Sequence, residues 1–132
     1  MKTACESRIV TPNRVLFSIV PDFNVNERKR ALKEVETLDF DTAVFSHPGD
    51  EGAVGSKADV VAGREYIEDL QGAIIAEFKK GTGFAQIPKA VKLPKYENWA
   101  MYDEWLPLNV WRVMLDMHMG PFPWRPEPET AQ

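Results

Sequence analysis

Residues 40–59 read FDTAVFSHPGDEGAVGSKAD, and this stretch decides the fold class. TAVFS, at 42–46, is a short, mostly apolar run of the kind that makes a buried strand. His47, Pro48 and Gly49 follow, then Gly52 and Gly55, and so much glycine and proline predicts a loop. Ser56 with Asp59 three residues later is a capping pair that starts a helix. Strand, loop and helix in that order predict an α/β architecture.

The helix predicted from residue 57 runs to residue 80. Val60, Arg64, Ile67, Leu70, Ile74 and Phe78 recur along it at helical spacing. Gly81 ends it, with Lys79 and Lys80 placed where a helix dipole favours cations. At ~1.5 Å per residue it spans about 36 Å.

Upstream, 8–11 and 15–20 (VLFSIV) are apolar or β-branched and are separated by Pro12-Asn13-Arg14, which predicts a hairpin. VLFSIV is nearly all apolar, as in a strand covered on both faces, and Pro21 ends it. Asn24 or Asn26 caps a helix running to about Leu38, with Ala31, Leu32, Val35 and Leu38 on one stripe. Arg28, Lys29, Arg30 and Lys33 alternate with Glu27, Glu34 and Glu36, which makes a solvated face and not a nucleic-acid patch.

Downstream, 83–96 predicts a short helix with Phe84, Ile87, Ala90 and Val91 on one side and Lys89, Lys92 and Lys95 on a solvated edge. Pro107 opens a last helix ending near His118, with Val110, Val113, Met114 and Met117 as its stripe. The four tryptophans all fall after residue 95 and predict core or subunit interface. The tail from residue 120 to 132 is proline-rich and predicts an extended, polyproline-like arm.

The chain has 132 residues, enough for one domain with a single core. A net charge of −4 argues against nucleic acid and against an anionic membrane surface as partners. No apolar leader and no membrane-length run is visible. The single cysteine, Cys5, can make no internal disulfide, and a cytoplasmic location is expected.

His47 is the leading candidate for chemistry, because open α/β sheets place ligand sites just past the C-terminal ends of their strands. Its structural alternative is a loop histidine bonded to the backbone. Asp22 follows the other predicted strand and could converge on the same sheet edge, with Asp50 and Glu51 nearby in sequence. A zinc ion wants three or four such ligands. His118, Asp116 and Cys5 lie on remote elements, and His118 reads as a helix-terminal histidine. No Ser/His/Asp arrangement, phosphate loop or CxxC pair is present.

LDFDTAVFSHPGDEGAVGSKADV followed by REYIEDLQGAI resembles the C-terminal half of metallo-β-lactamase-fold hydrolases. In that family a strand delivers the last zinc-binding histidine in a Gly-His-Gly-like turn ahead of a helix. Here that histidine would be His47, flanked by Ser46 and Pro48. IVTPNRVLFSIV resembles the pair of strands ahead of the family's metal-bridging aspartate, and KAVKLPKY and YDEWLPLNVWRV resemble the C-terminal helical segment of one bacterial branch. The resemblance covers residues 7–118.

The resemblance implies half of an αββα sandwich: a small mixed sheet with helices on one face and a helical C-terminal segment, over 1–119, with 120–132 as a separate tail. The departures are as informative. The family's HxHxDH motif and the histidine ahead of the hairpin are missing, and Asp22 is displaced from the position of the bridging aspartate. Only His47 and Asp22 carry over as metal ligands. The expectation is therefore a binding or assembly protein without a complete hydrolase site of its own and with no cofactor. It would form a homo-oligomer or join a complementing chain, because half a sandwich exposes an apolar sheet face. The alternative is a zinc-dependent hydrolase of an ester, amide or thioester, its site completed by another chain.

Overall fold

The computed structural model describes residues 2–4, 10–21, 24–49 and 52–120. Its elements are β1 (Thr3–Ala4), α1 (Val25–Glu36), β2 (Thr42–Gly49), β3 (Gly52–Gly55), α2 (Lys57–Lys80), α3 (Ile87–Ala90) and α4 (Tyr102–Met119). The domain is mixed α/β, with β1 parallel to β2 and β3 antiparallel to it.

The helices with strong local signals form as expected. Asn24 caps α1, its side chain accepting from the Glu27 amide, and Thr37 closes the helix slightly before Leu38. Ser56 and Asp59 form a complete capping box at the start of α2, and Gly81 ends it in the left-handed conformation at φ 82°. A capping box satisfies two of the amides that a helix start leaves orphaned. Gly55 leaves room for this cap, since a Cβ there would sit 2.8 Å from the Phe45 ring and against the Asp59 carboxylate.

Side-chain ties orient α1 on α2. Gln71 bonds Asn26 and Lys29, Lys33 pairs with Glu68, and Arg64 with Glu36. Positions rise along one helix as they fall along the other, so the two run antiparallel. Arg64 thus serves this seam, and Tyr66 joins Val60, Ile67, Leu70 and Ile74 as the buried face of α2.

Three predicted elements differ. Residues 10–21 form no strand: among the described residues their one ladder-like contact is a bridge from Arg14 to Ala100, with Ala100 donating to the Asn13 carbonyl at 2.8 Å. Asn13, Ser18 and Val20 have φ of 52°, 46° and 51°, which no strand contains. Residues 8 and 9 of the predicted partner strand lie outside the described residues.

The region 83–96 is a chain of short turns, with 3₁₀ pieces at Phe84–Gln86 and Pro94–Tyr96 on either side of α3. Finally, α4 begins at Tyr102, so Pro107 lies inside it. Proline there removes one bond of the i→i−4 ladder. Packing holds the preceding turn in place: Tyr102 accepts from the Leu93 amide at 2.8 Å, and Leu106 is buried. Met117, expected on the buried stripe, is exposed at the helix end.

Behind α4, Tyr66, Tyr96 and Trp99 pack with ring centroids 4.6–5.6 Å apart. Burial raises the pKa of the Tyr66 and Tyr96 hydroxyls, and the bond from Tyr96 to Asp69 raises it further for Tyr96.

Candidate functional site

β2 extends three residues past its expected end, so His47 and Pro48 lie within it and the glycine-rich stretch turns back as β3. Residues 50 and 51, and with them the candidates Asp50 and Glu51, lie outside the described residues. Ala43 pairs with Gly55, Val44 with Val54, and Gly49 with Gly52. Between the last two pairs, residues 45–48 oppose the single residue Ala53, a wide bulge in β2. Bulges bend a strand and re-aim its side chains. His47 sits in this one and is exposed.

Across the hairpin, Ala43 and Phe45 point into the core. Their neighbour Val44 points outward, 38% exposed, directly opposite Val54 at 66%. The outer face of the hairpin is therefore an apolar cross-strand pair in water.

Asp22 lies outside the described residues, so its position relative to His47 is not part of this geometry. His118 terminates α4: its Nδ1 bonds the Met114 carbonyl at 3.0 Å, and its ring lies 4.9 Å from Phe84 and 5.4 Å from Phe78. Asp116 accepts from Arg112. Cys5 is outside the described residues. Among the described residues no three of His, Cys, Asp and Glu come together as metal ligands, so they do not by themselves fit a zinc ion.

A second polar constellation lies on α4. Trp105, Asn109, Arg112 and Asp116 are spaced four, three and four apart and share one stripe. Segment 14–20 runs along this stripe in the same direction as the helix. Phe17 meets Trp105 edge-on at 5.0 Å, and Arg14 lies 5.4 Å over the same ring. Asn109 donates to the carbonyls of Leu16 at 3.0 Å and Ser18 at 2.7 Å, while accepting from the Tyr66 hydroxyl at 2.7 Å. Arg112 reaches the Ile19 carbonyl. Side chains of α4 thus take the place of a neighbouring strand, which is why an apolar, β-prone run need not enter the sheet.

Phe17 and Ile19 remain 50% and 41% exposed on the outside of this segment. Arg14 donates to Thr11 at 3.0 Å, and among the described residues its buried Nε has no acceptor. Burial and, secondarily, the neighbouring charge of Arg14 together lower the pKa of Arg28 to about 10. The signal for this stripe was present in the sequence: Asn109 and Arg112 are polar residues inside the apolar pattern of Leu106, Val110 and Val113.

The fold and these surfaces define a small mixed α/β domain with an open hairpin face. Neither protein-family models nor curated proteins give a match to this chain. No helix among the described residues is long and apolar enough to cross a membrane.

Proposed function

We propose that this chain is a binding or assembly protein related to half of a metallo-β-lactamase-fold hydrolase, and that it works by association and not by catalysis of its own. The observation that carries this reading is the exposed Val44–Val54 pair on the outer hairpin face. β3 adds an edge, Gly-Ala-Val-Gly, with none of the lysines or prolines that blunt lone edges. Covering that face with a second copy, or with a complementing chain, removes both liabilities.

Native mass spectrometry of the full chain at micromolar concentration is expected to give a dimer or larger species. Val54→Lys, which places a charge on the face and leaves the core untouched, should shift the distribution to monomer. A wild-type chain that is monomeric throughout sinks the proposal.

The second reading, a hydrolase completed in trans, is favoured by the exposure of His47 in the bulge, where an imidazole is free to meet ligands from another chain. Zinc retained by the assembly and lost in His47→Ala would support it. Equal zinc content in the two proteins would remove His47 from any metal site.

A further inference from the structure

Among the described residues, four that are not glycine have a positive φ: Asn13 at 52°, Ser18 at 46°, Val20 at 51° and Met101 at 62°. All four belong to one contact. Asn13, Ser18 and Val20 lie in the segment that crosses α4, and Met101 follows Ala100, the residue that segment pairs with. Left-handed backbone crowds Cβ against the following carbonyl oxygen, and a β-branched residue such as Val20 tolerates it least. Ser18 is the second residue of a turn closed by the Val20 amide on the Phe17 carbonyl at 2.8 Å, a position that suits glycine when φ is positive. The non-glycine residues described in α1, β2, β3 and α2 all avoid the left-handed region.

A few ties hold this strain in place. Asn109 binds the Leu16 and Ser18 carbonyls, Arg112 reaches the Ile19 carbonyl at 3.5 Å, and Val15 donates to the Ala100 carbonyl at 3.4 Å. The last two are long for hydrogen bonds of their kind. Val15, Leu16 and Val20 are buried beneath them. Once released, a run of such composition prefers extended backbone, where φ is negative.

We propose that residues 13–20 form a strained clasp on α4 that opens as a unit while α1, α2 and the hairpin stay folded. Opening lets Ser18 and Val20 return to extended φ, releases the Asn109 amide from its two carbonyls, and turns Val15, Leu16 and Val20 from the core toward water. Strain gathered in one removable contact gives that segment two distinct arrangements, and its release lowers the free energy of opening below that of the whole domain. The clasp is separate from the hairpin face, so this inference and the association proposed above can fail independently.

Amide hydrogen exchange of the full chain, followed residue by residue across low urea concentrations, tests it. The Val15, Val20 and Ala100 amides, bonded across or within the clasp, are expected to exchange at least about tenfold faster than those of Ile67 and Leu70 in α2, with little response to urea, as for a local opening. Ser18→Gly should slow exchange at these three amides by roughly three- to tenfold, because glycine takes the left-handed conformation without strain. Ser18→Ala, which keeps the Cβ, should not slow it. The sign is diagnostic, since glycine at an unstrained position loosens the chain and speeds exchange. Clasp amides that match α2 in rate and in urea dependence overturn the proposal, because the segment then opens only with the whole fold. So does a Ser18→Gly chain whose clasp exchange is unchanged or faster.

Discussion

Asn109→Ala is expected to lower stability by about 3–4 kcal/mol, because one side chain satisfies three groups at once, two of them in buried bonds and the third in a part-buried one. Its amide donates to the Leu16 and Ser18 carbonyls and its oxygen accepts from Tyr66, all at 2.7–3.0 Å and with Asn109 itself fully buried. Alanine leaves two carbonyls and a hydroxyl without partners. It also frees a segment whose Ser18 and Val20 sit at positive φ, a conformation that persists only while its surroundings enforce it. In thermal unfolding the midpoint should fall by roughly 10–15 °C for a domain of this size. Tyr66→Phe, which removes one bond and keeps the ring, should cost about 1–2 kcal/mol. An Asn109→Ala midpoint within about 3 °C of the parent would mean that segment 10–20 is held by other contacts.

Phe45→Ala should cost about 3–5 kcal/mol, as for other buried phenylalanines. The ring is 2% exposed and lies on the inward side of β2, at the first residue of the bulge. It is also the inner wall against which Gly55 and the α2 capping box are fitted. Deleting it opens a cavity under the hairpin, so the bulge that carries His47 loses its anchor along with the core. Urea unfolding should show a lower midpoint at an unchanged slope. Phe45→Leu, which refills most of the volume, should cost under about 1.5 kcal/mol. A near-neutral Phe45→Ala would show that the hairpin holds its shape through its ladder alone.

What could be read from the sequence was what local chemistry decides. Asn24, Ser56, Asp59 and Gly81 act within a few residues of themselves, and α1 and α2 begin and end close to where those residues predict. The strand at 42–46 was legible for the same reason. Its continuation through His47 was not, because glycine and proline signal a turn equally well whether or not the flanking residues pair. VLFSIV carries every local mark of a strand, yet Asn109 and Arg112, some 90 positions away, set its conformation. The start of α4 was misjudged because Pro107 suits a helix's first position, while aromatic packing fixes the start at Tyr102. At the candidate site, His47 was read in a loop just past the strand and lies instead within β2, whereas Asp22 and the arm lie outside the described residues. The apolar face was expected on VLFSIV and TAVFS; the exposed pair is instead Val44 with Val54, whose strand was read as loop.

The pairing of Asn13 and Val15 with Ala100 has a consequence for how the chain is made. During synthesis segment 10–20 leaves the ribosome well before the surface that receives it, α4, the last of the described elements. α1, β2, β3 and α2 are contiguous and can meet as they emerge. Segment 10–20 has to wait, with Phe17, Ile19 and the rest of its apolar run bare, until some 90 further residues have been added. Closing so long a loop is slow compared with forming the local helices. The nascent chain therefore passes through a stage in which this apolar stretch is unclaimed, and truncation ahead of α4 leaves it so.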